Sequence, residues 1–338
     1  MDKQIVFTEP NVAQLHEVNE MRMEPDRVKV KTVFSTISNG TERANLTGDP
    51  TIGINVKDGA PAVFPRRLGY STSGIVVETG SEVKGFEVGD RVAMCWTTHR
   101  SHNVVGTNGL VKIKSENISF AAASVAHIAA FPLAAIRKTR LEIGESAMVM
   151  GLGPLGILAI GLLRAAGATP VIAVDPVKER REKALKFGAD YAFDPYEPSF
   201  VDEIKALTGG VKVAIEVTGV GEGLNQALDC MARFGRVALL GCTRNSDFTV
   251  DYYRKVHGPG ITLIGAHTMA RPQNESHPGY FTTLDDMRTV LDLIALGRLD
   301  IDSLVDEVHS PNECGEVYNR LAFDKKFPQF VQFDWRML

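Results

Sequence analysis

The chain has 338 residues, of which 44% are hydrophobic and 23% are charged, a composition that excludes disordered, fibrous and disulfide-scaffold proteins. Its 37 basic and 41 acidic residues give a net charge of −4, so nothing in the overall charge points to nucleic acid or to a membrane surface as a partner. The four cysteines have no CxxC spacing, and the first residues lack a secretory pattern. We therefore expect a cytoplasmic protein with reduced thiols.

The first third of the chain is predicted to form antiparallel β-structure. Short runs of alternating apolar and polar residues occur at 28–34, 73–79 and 91–96, separated by Gly, Pro, Asn and Asp. Such alternation is typical of half-buried strands joined by turns. Residues before about 120 therefore predict a β region with hairpins and some irregular loops.

Between about residues 120 and 265, short apolar strands alternate with helical periods, which predicts βαβ units around a parallel sheet. The most apolar stretch, 147–174, is not expected to span a membrane, because glycines, Pro154, Arg164 and Pro170 interrupt it. After about residue 285 a helical period precedes short β-like pieces. The pattern alone does not assign this tail to either region.

The strongest chemical signal is the sequence GLGPLG at 151–156, which follows an apolar strand and opens a helix. In a dinucleotide-binding fingerprint the first glycine allows a tight turn, the second admits a pyrophosphate and the third allows close helix–strand packing. The helix N-terminus then faces the phosphates with free N–H groups. The residues expected to contact the dinucleotide here are Gly151, Gly153, Pro154, Leu155 and Gly156.

Asp175 ends the next predicted strand, at the spacing that the fingerprint requires for a ribose-binding acid. A carboxylate there binds the ribose diol and repels a 2′-phosphate, so we expect the cofactor to be NAD. Lys178, Arg180 and Arg181 follow, and they leave two alternatives open. They either form a solvated helix face or stack on the adenine, with Arg180 as the expected cofactor contact, or they accept a 2′-phosphate.

Six segments together resemble the medium-chain dehydrogenase/reductase superfamily, and the resemblance extends over essentially the whole chain. They are residues 68–92, 151–156, 174–190, 216–219, 235–241 and 261–267. Within the superfamily, SNGTE (38–42) and the tail DWRML (334–338) are similar to a branch with bacteriochlorophyllide-type hydroxyethyl dehydrogenases and sugar or polyol dehydrogenase-like proteins.

The resemblance implies an α/β fold with two domains. A GroES-like β domain is expected to comprise residues 1–119 and 286–338, because in this family the C-terminal segment returns to the first domain. A Rossmann domain, with a doubly wound parallel sheet that binds NAD, is expected at 120–285.

Most alcohol-oxidising members of the superfamily carry a catalytic zinc ion, and the ligand positions are changed in this chain. We align the cysteine ligand with Ser38, the histidine ligand with Tyr70 and the third ligand with His127. A hydroxyl, a phenol and one imidazole form a poor zinc site, because zinc prefers thiolate, imidazole and carboxylate. The four-cysteine structural lobe is also missing from residues 93–105, so we predict a member without a metal site.

Without a metal, the proton of an alcohol must pass to a side chain within hydrogen-bond reach. His127 is the first candidate for proton acceptor or relay, since an imidazole titrates near neutral pH; the alternative is a packed core histidine. Tyr70 and Ser38 are expected to orient the substrate oxygen in a cleft between the two domains, although Tyr70 is equally compatible with simple packing.

Further polar residues are candidates for binding a substrate with several hydroxyl groups. Glu42 either binds such hydroxyls or makes structural hydrogen bonds, and of the HxxH pair one histidine is expected in the pocket and the other in solvent. The segment 265–277 either reaches the substrate or forms a polar surface loop. The substrate-binding candidates are Glu42, His99, His102, His267 and Arg271.

Three glycines at or near predicted strand ends complete the expected cofactor site, because open α/β sheets bind ligands there. These are Gly219, Gly241 and Gly265.

The short apolar strand at 261–264 is the last in its series and is expected at a sheet edge, where apolar strands tend to be covered or paired. Since family members commonly pair such strands across a two-fold axis, the resemblance predicts a homodimer.

The sequence therefore predicts an NAD-dependent oxidoreductase that interconverts a secondary alcohol and a ketone on a sugar, polyol or related ring by metal-independent hydride transfer. Two alternatives remain open. One is a quinone or enone reductase, and the other is a non-catalytic NAD-binding regulatory protein.

Overall fold

The computed structural model describes residues 1–52, 62–244 and 247–338. The chain forms two compact units, the first comprising Met1–Ile128 with Met287–Leu338 and the second Ala129–Asp286. The first unit is therefore built from two separate stretches of chain, and the second from one continuous stretch. Both divisions fall inside helices.

The N-terminal part of the first unit is mostly β-structure, as the alternating runs predicted. Its elements are β1 (Asp2–Glu9), β2 (Val12–Val18), β3 (Arg27–Thr36), α1 (Asn39–Thr47), β4 (Ser71–Thr79), β5 (Arg91–Cys95), β6 (His102–Gly106), β7 (Leu110–Lys112), α2 (Phe120–Ala123) and the start of α3 (Ala126–Thr139).

The second unit alternates strands and helices. Its elements after α3 are β8 (Ala147–Met150), α4 (Pro154–Ala165), β9 (Val171–Val174), α5 (Lys178–Phe187), β10 (Tyr191–Phe193), α6 (Phe200–Thr208), β11 (Val211–Glu216), α7 (Gly221–Asp229), β12 (Met231–Leu239), β13 (Thr262–Gly265) and the start of α8 (Thr283–Ala295). The tail that the sequence pattern left unassigned belongs to the first unit. It contributes β14 (Glu307–His309), α9 (Cys314–Phe323) and β15 (Val331–Asp334).

The sheet of the second unit has six parallel strands in the order β10-β9-β8-β11-β12-β13. The order reverses between β8 and β11, which defines a doubly wound sheet and its ligand-binding switch point. The predicted α/β class is thereby confirmed. The apolar stretch 147–174 is divided among β8, α4 and β9, and among the described residues no helix combines the length and apolarity that a membrane span needs.

The first unit contains a β1-β2 hairpin and a mixed sheet in which β15 pairs with β3, β3 with β4, and β4 with β5. The β4–β5 register sets Ser71 opposite Cys95, so Tyr70 and Trp96 lie side by side just beyond the paired ends. Helix α9 packs against the hairpin, where Tyr318 and Phe7 meet edge to face with ring centroids 4.8 Å apart.

Candidate active site

The three residues aligned with zinc-ligand positions meet in the first unit. The Ser38 and Tyr70 hydroxyl groups share a short hydrogen bond, and the His127 Nδ1 atom lies 2.8 Å from the backbone carbonyl oxygen of Tyr70. The Tyr70 and His127 rings are 5.3 Å apart between centroids and nearly perpendicular. Two hydroxyl groups and one imidazole therefore form a single cluster.

Local structure explains how each of these side chains reaches the cluster. Ser38 is the N-cap of α1, Tyr70 immediately precedes β4, and His127 lies in the first turn of α3. The His127 side chain is completely buried. Since a carbonyl oxygen can only accept, Nδ1 of His127 carries the proton, and the neutral ring has its lone pair on Nε2.

Trp96 is a member of this cluster that sequence reasoning missed. Its ring centroid lies 4.7 Å from that of His127 and 5.8 Å from that of Tyr70, and its backbone N–H donates to the same Tyr70 carbonyl at 2.9 Å. Its φ angle of 58° is unusual for a residue other than glycine, and its side chain is 52% exposed. The only signal in the sequence was a tryptophan as the last residue of the predicted run at 91–96.

Glu42 is completely buried next to the cluster, and its carboxylate accepts three hydrogen bonds. Its Oε1 atom accepts the backbone N–H of Ser38 at 2.9 Å, and Oε2 accepts the Tyr318 hydroxyl at 2.5 Å. The His99 Nε2 atom lies 3.1 Å from the same Oε2. Burial raises the pKa of the Tyr318 hydroxyl, so Tyr318 remains a donor to the carboxylate.

His99 extends the network further into the interior. Its Nδ1 atom lies 2.7 Å from the Ser35 hydroxyl, which also accepts the indole N–H of Trp335 at 2.8 Å. Because the Glu42 carboxylate can only accept, Nε2 of His99 donates to it, and Nδ1 of the neutral ring then accepts from the Ser35 hydroxyl. These contacts favour the structural alternative for Glu42, which is 0% exposed. His99 is 1% exposed and bound within the same network, so it is not the solvated histidine of the HxxH pair.

His102 is engaged elsewhere in the first unit. Its Nδ1 atom lies 2.8 Å from the carboxylate of Asp2, which also accepts from the Arg100 guanidinium at 2.9 and 3.0 Å. Burial by itself would raise the pKa of Asp2, but the hydrogen bonds from Arg100 and His102 outweigh it and lower that pKa. His102 therefore anchors the N-terminal strand, and its role in substrate binding remains only a prediction.

The donor set of the cluster does not fit zinc. The Ser38 hydroxyl, the Tyr70 phenol and one ring nitrogen of His127 offer neither a thiolate nor a carboxylate. Across residues 1–52, 62–244 and 247–338 no group of three or more His, Cys, Asp or Glu side chains is arranged to hold a metal ion. Glu42, the buried carboxylate beside the cluster, has both oxygens occupied by hydrogen bonds.

In the second unit the predicted glycine turn joins β8 to α4. Gly151 has a φ angle of 95°, and a Cβ atom on Gly156 would lie 2.0 Å from the Gly151 carbonyl oxygen. Gly153 is the N-cap of α4, Pro154 occupies the first helical position, and Leu155 follows. The turn thus leaves the N-terminus of α4 in the form that binds phosphates.

Asp175 lies at the end of β9 and is only 3% exposed. Its Oδ2 atom accepts the backbone N–H of Leu152, inside the glycine turn, at 2.8 Å, and Oδ1 accepts that of Val177 at 2.9 Å. The Arg180 guanidinium is 3.5 Å from Oδ2. The acid therefore ties the glycine turn to the end of the neighbouring strand.

The basic residues after Asp175 have different roles. Arg181 is held by the Asp194 carboxylate at 3.0 Å and by the Asp175 carbonyl oxygen at 2.7 Å, which is a structural position. Lys178 is 76% exposed and 3.8 Å from Glu182, as expected for a solvated helix face. Arg180 is the one whose guanidinium contacts the Asp175 carboxylate.

The three further glycines follow parallel strands of the same sheet. Gly219 and Gly241 come after β11 and β12, and Gly265 is the last residue of β13. A Cβ atom on Gly241 would be 2.5 Å from the backbone nitrogen of Gly219, so the two turns are in contact. Beside them Glu216 is buried, which raises its pKa, and it accepts the Thr218 N–H at 2.7 Å.

These features fit a dinucleotide along the carboxyl edge of the sheet. The glycine turn and the α4 N-terminus suit a pyrophosphate, and the two residues predicted to contact the adenosine, Asp175 and Arg180, lie beside that turn. His267, on the chain after β13, is exposed, and its Nδ1 atom accepts the Met269 N–H at 3.2 Å. Arg271, by contrast, has a side chain only 4% exposed that is bound to Asp286 at 3.1 Å.

Comparisons with known proteins agree with this architecture. Residues 24–132 match the family described as alcohol dehydrogenase GroES-like domain, and residues 154–284 match the family described as zinc-binding dehydrogenase. The chain is 31% identical over 297 residues to the L-threonine 3-dehydrogenase of Pyrococcus horikoshii, covering 77% of this chain and 81% of the relative. It is 28% identical over 335 residues to the D-guloside 3-dehydrogenase of Escherichia coli, covering 94% and 95%.

Among solved structures, the 2R,3R-butanediol dehydrogenase of Bacillus subtilis superimposes with a TM-score of 0.82 and 26% identity, over 99% of each chain. A sheet of dinucleotide-binding order and a superposition over 99% of the butanediol dehydrogenase chain together define a dehydrogenase fold. The chain belongs to the medium-chain dehydrogenase/reductase superfamily, among the zinc-type alcohol dehydrogenase-like proteins. The predicted GroES-like and Rossmann folds are thereby confirmed.

Proposed function

We propose that this protein is an NAD-dependent dehydrogenase that interconverts a secondary alcohol and a ketone on a sugar, polyol or related polyhydroxylated ring without a metal ion. The observation that carries the proposal is the convergence of Ser38, Tyr70 and His127. These are the positions aligned with zinc ligands in relatives, and they hold acid–base groups here. The names of the relatives, which include guloside, threonine and butanediol dehydrogenases, support an alcohol substrate.

Alcohol oxidation removes a hydroxyl proton and a hydride from the same H–C–O–H unit. Bound NAD supplies the hydride acceptor. His127 takes the proton, directly or through the adjacent hydroxyl groups, because the lone pair of its neutral ring lies on Nε2. In the reverse direction the same imidazole returns the proton to the ketone oxygen.

Tyr70 and Ser38 orient the substrate oxygen. Their shared hydrogen bond leaves the pair with one hydroxyl hydrogen to donate and lone pairs to accept. That combination suits an oxygen that changes between alcohol and ketone. Glu42 supports the pair by fixing the Ser38 backbone N–H, so its contribution is positional.

Trp96 favours a ring substrate. Half of its side chain is exposed beside His127, and an indole face is a large apolar surface with little conformational freedom. The apolar face of a sugar or cyclic polyol can pack on such a surface while its hydroxyl groups bind elsewhere. We therefore assign Trp96 to substrate binding.

NAD rather than NADP is proposed because Asp175 places a carboxylate at the ribose-binding position. Arg180 only partly offsets that charge.

We further propose a cytoplasmic homodimer. The edge strand β13 has Thr262, Leu263 and Gly265 exposed, which leaves a sheet edge open for pairing with a second copy.

A screen for NADH formation across polyols, sugars and sugar phosphates tests the activity, and His127→Ala tests the mechanism. We expect kcat to fall by about 10²–10⁴-fold, since a positioned acid–base group typically contributes that much, while NADH binding is retained. His16→Ala serves as the matched control, because His16 lies on the β1-β2 hairpin and bonds to Gln14. Near-normal turnover of the His127→Ala variant, or activity abolished by chelation of a stoichiometric zinc ion, contradicts the mechanism.

A further inference from the structure

Residues 265–271 begin at the last residue of β13 and are fixed at their first peptide bond. The Gly265 carbonyl oxygen accepts from the Lys138 ammonium at 3.0 Å, and the next backbone N–H, of Ala266, donates to the Leu239 carbonyl oxygen at 3.1 Å. One peptide plane is thus held on both sides. We refer to residues 265–271 as the post-β13 loop.

The far end of the post-β13 loop is fixed by Arg271. Its guanidinium donates to the Thr268 carbonyl oxygen at 3.1 Å, to the Ala130 carbonyl oxygen at 3.1 Å and to the Asp286 carboxylate at 3.1 Å. A single side chain therefore links the loop to α3 and α8. The planar, five-donor guanidinium is suited to such multiple attachment.

The middle of the loop is open to solvent. His267 is exposed and Met269 is 54% exposed. Because Nδ1 of His267 accepts the backbone N–H of Met269, the neutral ring carries its proton on Nε2. An exposed donor is thus presented by a short segment whose two ends are held by buried cations.

Placing Lys138 at this position is costly, which argues against an incidental contact. The residue is 7% exposed, and burial lowers the pKa of its ammonium group. The buried carboxylate of Asp286 is already shared by Arg137 at 2.8 Å and Arg271 at 3.1 Å. A buried ammonium group that has a backbone carbonyl as its acceptor keeps its charge only through well-placed hydrogen bonds.

The topology indicates what the loop faces. A doubly wound sheet binds a dinucleotide across its switch point, one nucleotide on each half. Asp175, directly after β9, marks the adenosine half, so β11, β12 and β13 serve the half that carries nicotinamide. The post-β13 loop continues directly from that half of the sheet.

We propose that Lys138 and Arg271 are positioning residues that hold the post-β13 loop, and with it His267, against the nicotinamide half of the cofactor. This inference rests on the proposed function, because it requires a dinucleotide in the second unit. It assigns Arg271 a role different from the substrate contact expected from sequence.

Comparison of two ligands separates this role from simple stabilisation. NADH contains the nicotinamide half, whereas ADP-ribose contains only the adenosine half and the second ribose. For Lys138→Met, which removes the charge and keeps most of the unbranched side chain, we expect NADH affinity to fall about tenfold, as for loss of a charged hydrogen bond, with ADP-ribose affinity unchanged. Lys186→Met, on the exposed side of α5, is the control and binds both ligands normally.

Arg271→Lys provides a second route in case Lys138→Met fails to fold, because it keeps the charge near Asp286 but loses the fork of donors. It should show the same selective loss of NADH affinity. Equal loss of both ligands, or no loss of either, in a folded variant overturns the positioning role. Failure of the unmodified protein to bind either ligand instead overturns the proposed function.

Discussion

Gly156 lies against the backbone of Gly151 so closely that a Cβ atom on Gly156 would be 2.0 Å from the Gly151 carbonyl oxygen. The first turn of α4 is thereby packed onto the end of β8. Gly153, between them, is different, because a Cβ there would meet no protein atom within 4 Å. The folded chain itself requires glycine at position 156, whereas at 153 it leaves room for a side chain, in the place where the proposed pyrophosphate would approach.

The two glycines should therefore respond differently to alanine. Gly156→Ala forces the turn apart and should destabilise the protein by about 2 kcal/mol or more, within the range known for overpacking. Gly153→Ala should leave the thermal midpoint within a few degrees of its original value and weaken NADH binding at least about tenfold, because the methyl group occupies the approach of the pyrophosphate. Thermal unfolding measures the stability of each variant, and an NADH fluorescence titration measures its affinity for the cofactor. Unchanged NADH affinity in Gly153→Ala would contradict the assignment of the glycine turn to pyrophosphate binding.

Asp175 should determine which dinucleotide is used. A carboxylate that binds the ribose diol repels a 2′-phosphate, so kcat/KM for NAD should exceed that for NADP by about a hundredfold or more. Asp175→Ser should lower the ratio of kcat/KM for NAD to that for NADP. It should also weaken the binding of NAD, since the Leu152 N–H loses its carboxylate acceptor. Steady-state kinetics with both cofactors provide the measurement, and equal values for the unmodified protein would rule out the assignment.

Glu42 should contribute to the stability of the fold, because its buried carboxylate accepts three hydrogen bonds. Glu42→Gln replaces one acceptor oxygen with an NH₂ group that faces donors, and we expect a loss of about 2–3 kcal/mol in the free energy of unfolding. Tyr318→Phe is the matched variant, because it removes a single hydrogen bond to the same carboxylate and should cost about 1 kcal/mol. Urea unfolding distinguishes them; equal stabilities would mean that the network is not built around a carboxylate.

His309 should make stability dependent on pH. Burial alone would lower its pKa, but hydrogen bonds with Glu307 and Glu313 outweigh this and raise it above 6.5. Its charged form therefore contributes fully below pH 6.5, and the contribution is lost as the pH rises through the folded-state value. The Arg320 hydrogen bonds lower the pKa of Glu307 from 4.5 to about 2, so the carboxylate's contribution is lost only below pH 4.5.

The comparison variant is His309→Gln. The unmodified protein should be more stable than this variant by about 1 kcal/mol between pH 4.5 and 6.5, and the difference should diminish at alkaline pH. Chemical unfolding across that range checks it. A difference that grows with rising pH would mean that the imidazole is neutral when it is bound.

The second unit was predictable because its determinants are local. Strand and helix periods, the glycine turn and the acid after β9 all lie within short stretches of sequence, and each period directly reflects which face is buried. The partners of Glu42 are not local: His99 and Tyr318 are 57 and 276 residues away. Such pairings depend on strand register and on the return of α9, which no single-sequence pattern encodes, and Trp96 was missed for the same reason.

The discontinuous first unit also imposes an order on biosynthesis. Strand β15 pairs with β3, and the Gln332 side chain bonds to Thr36 across 296 residues of sequence. The second unit is contiguous, so a ribosome releases all of its strands before it makes β15. Nascent chains can thus complete the parallel sheet, and pair β3 with β4 and β6, before the partner of residues 34–36 of β3 is made. During that interval the backbone groups of residues 34–36 form a short open strand edge, of the kind that invites pairing with another chain.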